Sequence, residues 1–143
     1  MNYVKSCLII TMLLGALYSQ SGSIVCWGKN YYGMYNPPEG TFTDVSAGIF
    51  HTCALDESGN ILCWGGDQLG QSSPPEGTFT DIAAGYYHTC ALNESGDIVC
   101  WGDDNYGQSS PPEGTFTDIA AGFRHTCAVN ESGNIVCWGD DNY

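Results

Sequence analysis

Three stretches repeat the same chemistry-bearing residues: HTCALDESGNILCWG at 51–65, HTCALNESGDIVCWG at 88–102 and HTCAVNESGNIVCWG at 125–139. Each holds a histidine, two cysteines, an acidic turn and a tryptophan. Such residues could bind a metal, run thiol–disulfide exchange or form a structural cross-link. The C-x9-C spacing separates these options. Zinc sites and thioredoxin-like redox motifs use about two intervening residues. Cysteines on opposed strands of a hairpin instead suit disulfide geometry. Disulfides are therefore expected for Cys53–Cys63, Cys90–Cys100 and Cys127–Cys137. A loop this small stabilises the fold by roughly 2–3 kcal/mol per bond in the chain-entropy picture.

The remaining chemistry is weaker. His51, His88 and His125 recur every 37 residues and could line up as a metal cluster between units. No carboxylate alternates with them at ligand spacing. Each is read as a structural ring, hydrogen-bonded or packed on a neighbouring tryptophan. GGDQ at 65–68 and GDDNYG at 102–107 offer oxygen ligands for calcium, yet no EF-hand or glycine-aspartate nonapeptide pattern appears, so solvated turns are expected. No metal and no cofactor is called for. The serines sit in SGN, SGD and QSSPP turns, without a visible base or oxyanion partner. Near-identical units also fail to supply the unlike residues that catalysis needs in one pocket. The chain is not expected to be an enzyme.

These residues must be placed by a repeat. Trp27, Trp64, Trp101 and Trp138 are spaced by 37, and PPEGTFTD recurs from Pro37, Pro74 and Pro111. Units 64–100 and 101–137 differ at only seven positions. Within one unit, FTDIAAG, HTCAL and IVCWG read as short strands, NESGD as a turn with Gly96 at positive φ, and DDNYGQSSPPEG as a proline-interrupted loop. No stretch shows sustained helical periodicity. Pairing Cys90 with Cys100 sets Ala91 opposite Val99 and Leu92 opposite Ile98. One face then carries Cys90, Leu92, Ile98 and Cys100, the other Thr89, Ala91, Val99 and Trp101. Both are largely apolar, so each sheet must lie between neighbours, as stacked propeller blades do.

The net charge is −13, which disfavours nucleic acid and anionic lipid as partners. The N-terminus reads MNYVKSCLIITMLLGALYSQSGS, with Lys5 before an apolar run from Cys7 to Leu17. That is the pattern of a cleaved secretory signal, too short for a comfortable membrane span. Residues 1–21 are expected to be removed, leaving 22–143 with no stable span. The product would be secreted or extracellular, including the periplasm and cell surface, where disulfides persist. Cys7 would leave with the signal. The period places a partner for Cys26 at Ala16, so Cys26 is expected to be unpaired.

The stretch AAGYYHTCALNESGDIVCWGDDNYGQ resembles the repeat of the RCC1 (regulator of chromosome condensation) family, in a compact cysteine-bearing form. The resemblance implies an all-β, RCC1-like β-propeller, in the family usually seven-bladed. Asn30 fits the family's asparagine after Trp-Gly, whereas Asp67, Asp104 and Asp141 replace it and can keep the turn bond. Met34 stands where Gln71 and Gln108 recur. The chain spans three full periods, whereas seven blades need on the order of 260 residues. We expect a partial ring of about three blades and a truncated or partial product of a longer protein. Exposed blade faces are then a route to self-association.

Variation between units points to function. It concentrates just before the histidine, at Phe50, Tyr86, Tyr87, Phe123 and Arg124, and after Trp-Gly, at Tyr31, Tyr32 and Tyr106. These rim positions are the candidate binding residues, since aromatics dominate many interfaces. Asn93 and Asn130 open N-glycosylation sequons. The reading is a secreted, disulfide-stabilised scaffold that binds a protein or glycan. Guanine-nucleotide exchange on a small GTPase, or inhibition of an extracellular enzyme, are the alternatives the family suggests.

Overall fold

The structure, a computed structural model, describes residues 6–10, 22–28, 30 and 32–141. Within that range the chain is all-β. Strands β1 (Ser6–Ile10) and β2 (Ser23–Trp27) form a two-stranded sheet. Three three-stranded sheets follow: β3 (Phe42–Ala47), β4 (His51–Asp56) and β5 (Ile61–Gly65); β6 (Asp81–Ala84), β7 (His88–Leu92) and β8 (Ile98–Gly102); β9 (Phe116–Ala121), β10 (His125–Asn130) and β11 (Ile135–Gly139). Every pairing is antiparallel and between sequence neighbours.

Alternation and turn chemistry set the hairpins. In the second of these sheets Cys90 lies opposite Cys100, Ala91 opposite Val99 and Leu92 opposite Ile98, as the spacing requires. The turn between them closes because Gly96 adopts φ 82° and Asn93 Oδ1 accepts the amides of Ser95 and Asp97 at 2.9 Å each. Asp56 does the same work in the first unit, accepting from Ser58 and Asn60 at 2.8 and 2.9 Å. Those bonds hold the Asp56 carboxyl below its ordinary range, the Asn60 side-chain amide contributing most.

The sheets pack face to face. The Cys90, Leu92, Ile98 and Cys100 face of β7–β8 meets Phe116, Ile119, Ala128, Val136 and Trp138 of the next sheet. Cys53, Leu55, Ile61 and Cys63 meet Phe79, Ile82, Ala91 and Trp101 in the same way. A third copy of the joint sets Ile24 and Cys26 against Phe42, Ala54 and Trp64. Inner strands β3, β6 and β9 converge side by side at the hub. Gly85 shows why that hub takes glycine: an added Cβ would lie 2.7 Å from the Gly122 carbonyl of the next sheet and run into the His88 ring.

The bonds Cys53–Cys63, Cys90–Cys100 and Cys127–Cys137 are formed, at S–S distances of 2.06, 2.10 and 2.04 Å. Cys26, expected to be unpaired, is disulfide-bonded, and no cysteine is free among the described residues. The register explains the correction. Ser6 lies opposite Trp27 and Cys7 opposite Cys26, as Thr52 lies opposite Trp64 and Cys53 opposite Cys63. A partner at Ala16 would need a five-residue turn, but the strand opposite β2 comes from farther upstream. The remainder of the expected signal, residues 1–5 and 11–21, lies outside the described residues, as does Tyr31.

Candidate functional site

The candidate binding residues sit on the turns between each inner strand and the next, and on the loops after each Trp-Gly. The repeat brings most of them together. Phe50 packs on Tyr86 and Tyr87 at centroid distances of 5.3 and 5.1 Å, and Tyr32 meets Phe50 edge-on at 5.7 Å. Tyr86 lies 4.2 Å from Tyr87 and stacks on Phe123 at 4.0 Å. The Arg124 guanidinium covers Tyr106 at 4.5 Å and Phe123 at 5.2 Å. Arg124 is also 3.8 Å from Asp140, a part-exposed ion pair of small energy. The result is one aromatic row crossing all three blades. Its ends stay open, with Tyr32 at 59% and Phe123 at 51% exposure, while Phe50, Tyr86 and Tyr87 are half-buried. Burial, then the neighbouring Tyr86 hydroxyl, raises the Tyr87 phenol above its ordinary range. The adjoining cleft at the hub, about 190 Å³, is lined by Ala47, Gly48, Ala84, Gly85, Ala121 and Gly122 along with Ile49 and Phe123.

The opposite half of the hub has a different character. Asp44 and Asp81 lie at equivalent positions early in inner strands β3 and β6 and accept the next backbone amide, Val45 and Ile82, at 2.8 Å each. Burial raises both carboxyls, and Asp44 and Asp118 raise Asp81 further by like charge. Among the described residues no group of three or more His, Cys, Asp or Glu is placed to hold a metal ion. The acidic loops fold on themselves. Asp67 accepts from Ser72 N at 2.7 Å and Ser73 Oγ at 2.7 Å, and Asp104 from Ser109 N at 2.8 Å and Ser110 Oγ at 2.7 Å. Asn30 accepts the equivalent amide of Tyr35 at 3.2 Å, so aspartate does keep the asparagine turn.

The histidines join blades. His51 Nε2 lies 2.6 Å from Thr89 Oγ1, and His88 Nε2 2.8 Å from Thr126 Oγ1. Each threonine in turn donates to a loop carbonyl, Thr89 to Gln71 at 2.9 Å and Thr126 to Gln108 at 3.1 Å. The same carbonyls take the indole N–H of Trp101 and Trp138, both at 3.0 Å. Trp64 makes the equivalent bond to Met34 at 2.7 Å, so the backbone role survives the side-chain change. Sequence reading missed these threonines and glutamines. The signal was present: both types recur at the same period, and only the histidine that meets each threonine comes from a different blade.

Sheets stacked face to face around converging inner strands, with cystine hairpins and His–Thr joints, are the blades of a β-propeller. Two solved plant ectodomains have the same arrangement. One is the CRINKLY WD40 ectodomain of the Arabidopsis thaliana receptor kinase ACR4, 27% identical over 85% of this chain and 48% of that one, with a TM-score of 0.69. The other is the entire ectodomain of the Physcomitrella patens receptor kinase CR4, 29% identical over 84% and 38%, with a TM-score of 0.71. Yeast RCC1 (Prp20), solved with Kap60 bound, shares the fold at 18% identity, 81% and 39% coverage and a TM-score of 0.69. The chain spans less than half the length of each. No curated protein matches it. The model of the regulator of chromosome condensation (RCC1) repeat matches residues 42–71, 79–108 and 116–143, and the chain belongs to that repeat family.

Proposed function

We propose that this chain is an exported binding scaffold whose contact surface is the aromatic row on the blade turns. The observation that carries the reading is the continuous contact from Tyr32 through Phe50, Tyr86 and Phe123 to Arg124. These are among the positions at which otherwise near-identical units differ. Open aromatics backed by half-buried ones form a rigid, amphipathic surface suited to a protein or a glycan. The hub cleft beside them offers small and apolar side chains without a nucleophile or base, which supports binding without turnover. Export is supported by three cystines, which persist in oxidising compartments. No helix among the described residues is long and apolar enough to cross a membrane.

The relatives support binding more than chemistry. Yeast RCC1 is seen bound to Kap60, and Prp20p has binding properties towards Gsp1p and histones. Nucleotide exchange on a small GTPase remains an arm of the test. Immobilised chain is presented with secreted proteins and with a glycan array. The wild type should retain a ligand that Tyr32→Ala/Phe123→Ala loses by at least about tenfold. Glu94→Gln, on a distant turn, should retain it. A ligand held equally by the double variant, or accelerated nucleotide release from a GTPase, would overturn the reading.

A further inference from the structure

The joint between blades occurs three times in the chain, and each copy has two unlike halves. The leading half supplies disulfide-bonded cysteine and a branched aliphatic residue, with a histidine from β4 and β7 in two of the copies. The trailing half supplies a tryptophan, with a threonine from β7 and β10. Both halves are also present on the outside. On the last blade, His125, Cys127, Val129, Ile135 and Cys137 hold the positions that His88, Cys90, Leu92, Ile98 and Cys100 hold in a closed joint. There Ile135 is 72% exposed, His125 is exposed and its ring makes no hydrogen bond among the described residues. On the first sheet, Val25 is 43% and Trp27 46% exposed, on the side away from the Ile24 and Cys26 contact. Trp27 donates no indole hydrogen bond among the described residues, whereas Trp64, Trp101 and Trp138 all do. Ser6 lies opposite Trp27, the register position threonine takes in the other three sheets.

We propose that the open face of β10–β11 receives the open face of β1–β2 from a second copy, head to tail, in the geometry of the internal joints. The occupant follows from the fold. Two unlike faces on one chain are the missing halves of an interface that the same chain already closes three times. No lysine, arginine, aspartate or glutamate is among the face residues named above, so desolvation cost is small. Contact of unlike faces is heterologous, and closes into a ring or extends according to the rotation per copy. A further repeat unit would fit the same face, so the question is whether a unit supplied in trans is accepted.

The test uses the full 143-residue chain. Sedimentation velocity should show association that rises with concentration. Ile135→Asp blocks one face and Trp27→Asp the other, and each should weaken self-association by roughly tenfold or more. Mixing the two variants should restore a single joint and give a 1:1 complex, because one copy keeps an intact head and the other an intact tail. Cystine mapping and circular dichroism report the fold of each variant. Val25→Asp replaces Trp27→Asp if the latter folds poorly. A wild type that stays monomeric, a single variant that associates like the wild type, or a mixture that stays monomeric would overturn the proposal.

Discussion

Thr126 gives its hydroxyl proton to the Gln108 carbonyl, so the His88 Nε2 lying 2.8 Å from that oxygen must itself be the donor. The ring is then neutral, and its Nδ1 is buried with no hydrogen-bond partner. Protonation would place a second N–H where nothing accepts it. Burial accordingly pushes His88 down to about 4, against a smaller upward pull from Asp103. The unfolded ring titrates near its ordinary value, so the unfolded chain binds the extra proton as pH falls. The contribution of His88 is complete above the unfolded value and is lost as pH drops towards the folded one. Between about pH 7 and about pH 5 the loss amounts to about 2 kcal/mol. Urea titrations at the two pH values should show it, and His88→Gln should flatten the slope by that amount. Gln71 makes a second residue-scale case. Gln108 Nε2 donates to Asp103 at 2.9 Å, while Gln71 Nε2 is buried without a partner because Gly66 stands at the equivalent position. Gly66→Asp would bring a Cβ 3.3 Å from Gln68 Oε1, which the flexible glutamine can relieve, and 3.2 Å from the backbone carbonyl of Phe50, which must give by a few tenths of an ångström. Restoring the acceptor should stabilise the chain by about 1 kcal/mol, seen as a raised thermal midpoint. A lowered midpoint would mean that crowding at Phe50 dominates.

At the scale of the element, legibility follows the kind of force involved. Strands β4, β5, β7, β8, β10 and β11 could be read, with their register, from alternation and cysteine spacing, because side-chain direction has period two and the turn length is short. The aromatic rim was legible as variable positions, but its contact order from Tyr32 to Arg124 was not, since neighbours in the row come from different units. The joints were hidden for a related reason. A threonine hydroxyl and a glutamine carbonyl are ordinary groups until folding sets the preceding blade's histidine and the threonine's own blade's tryptophan on them. Strand β1 was illegible in a stricter sense. The apolar composition of Ser6–Ile10 suits a leader as well as a strand, and its register with β2, Cys7 opposite Cys26, leaves no mark in the 37-residue period. The bulges between Phe42 and Asp44 and between Val129 and Asn130 also left no mark in the pattern.

The whole molecule behaves as a row of nearest-neighbour contacts, so stability should vary along it. The β6–β8 blade is covered on both sides, and Thr89, Cys90 and Ala91 are fully buried. The β9–β11 blade is covered on one side only, with Ile135 and His125 open. Its separation from the row breaks one joint, whereas exposing β7 breaks two. Hydrogen exchange on dilute chain should therefore find β7 slow and β10–β11 distinctly faster, with the Cys127–Cys137 bond keeping that hairpin in register after it detaches. Equal protection in β7 and β10 at dilution would mean that each sheet is stable alone and the joints contribute little. Concentration adds a second readout. If a second copy occupies the open face, protection in β10–β11 rises with concentration while that of β7 stays constant. Ile135→Asp should remove the rise without altering the dilute order. The two effects separate the cohesion of one chain from the cohesion between chains, through amides on the same blade.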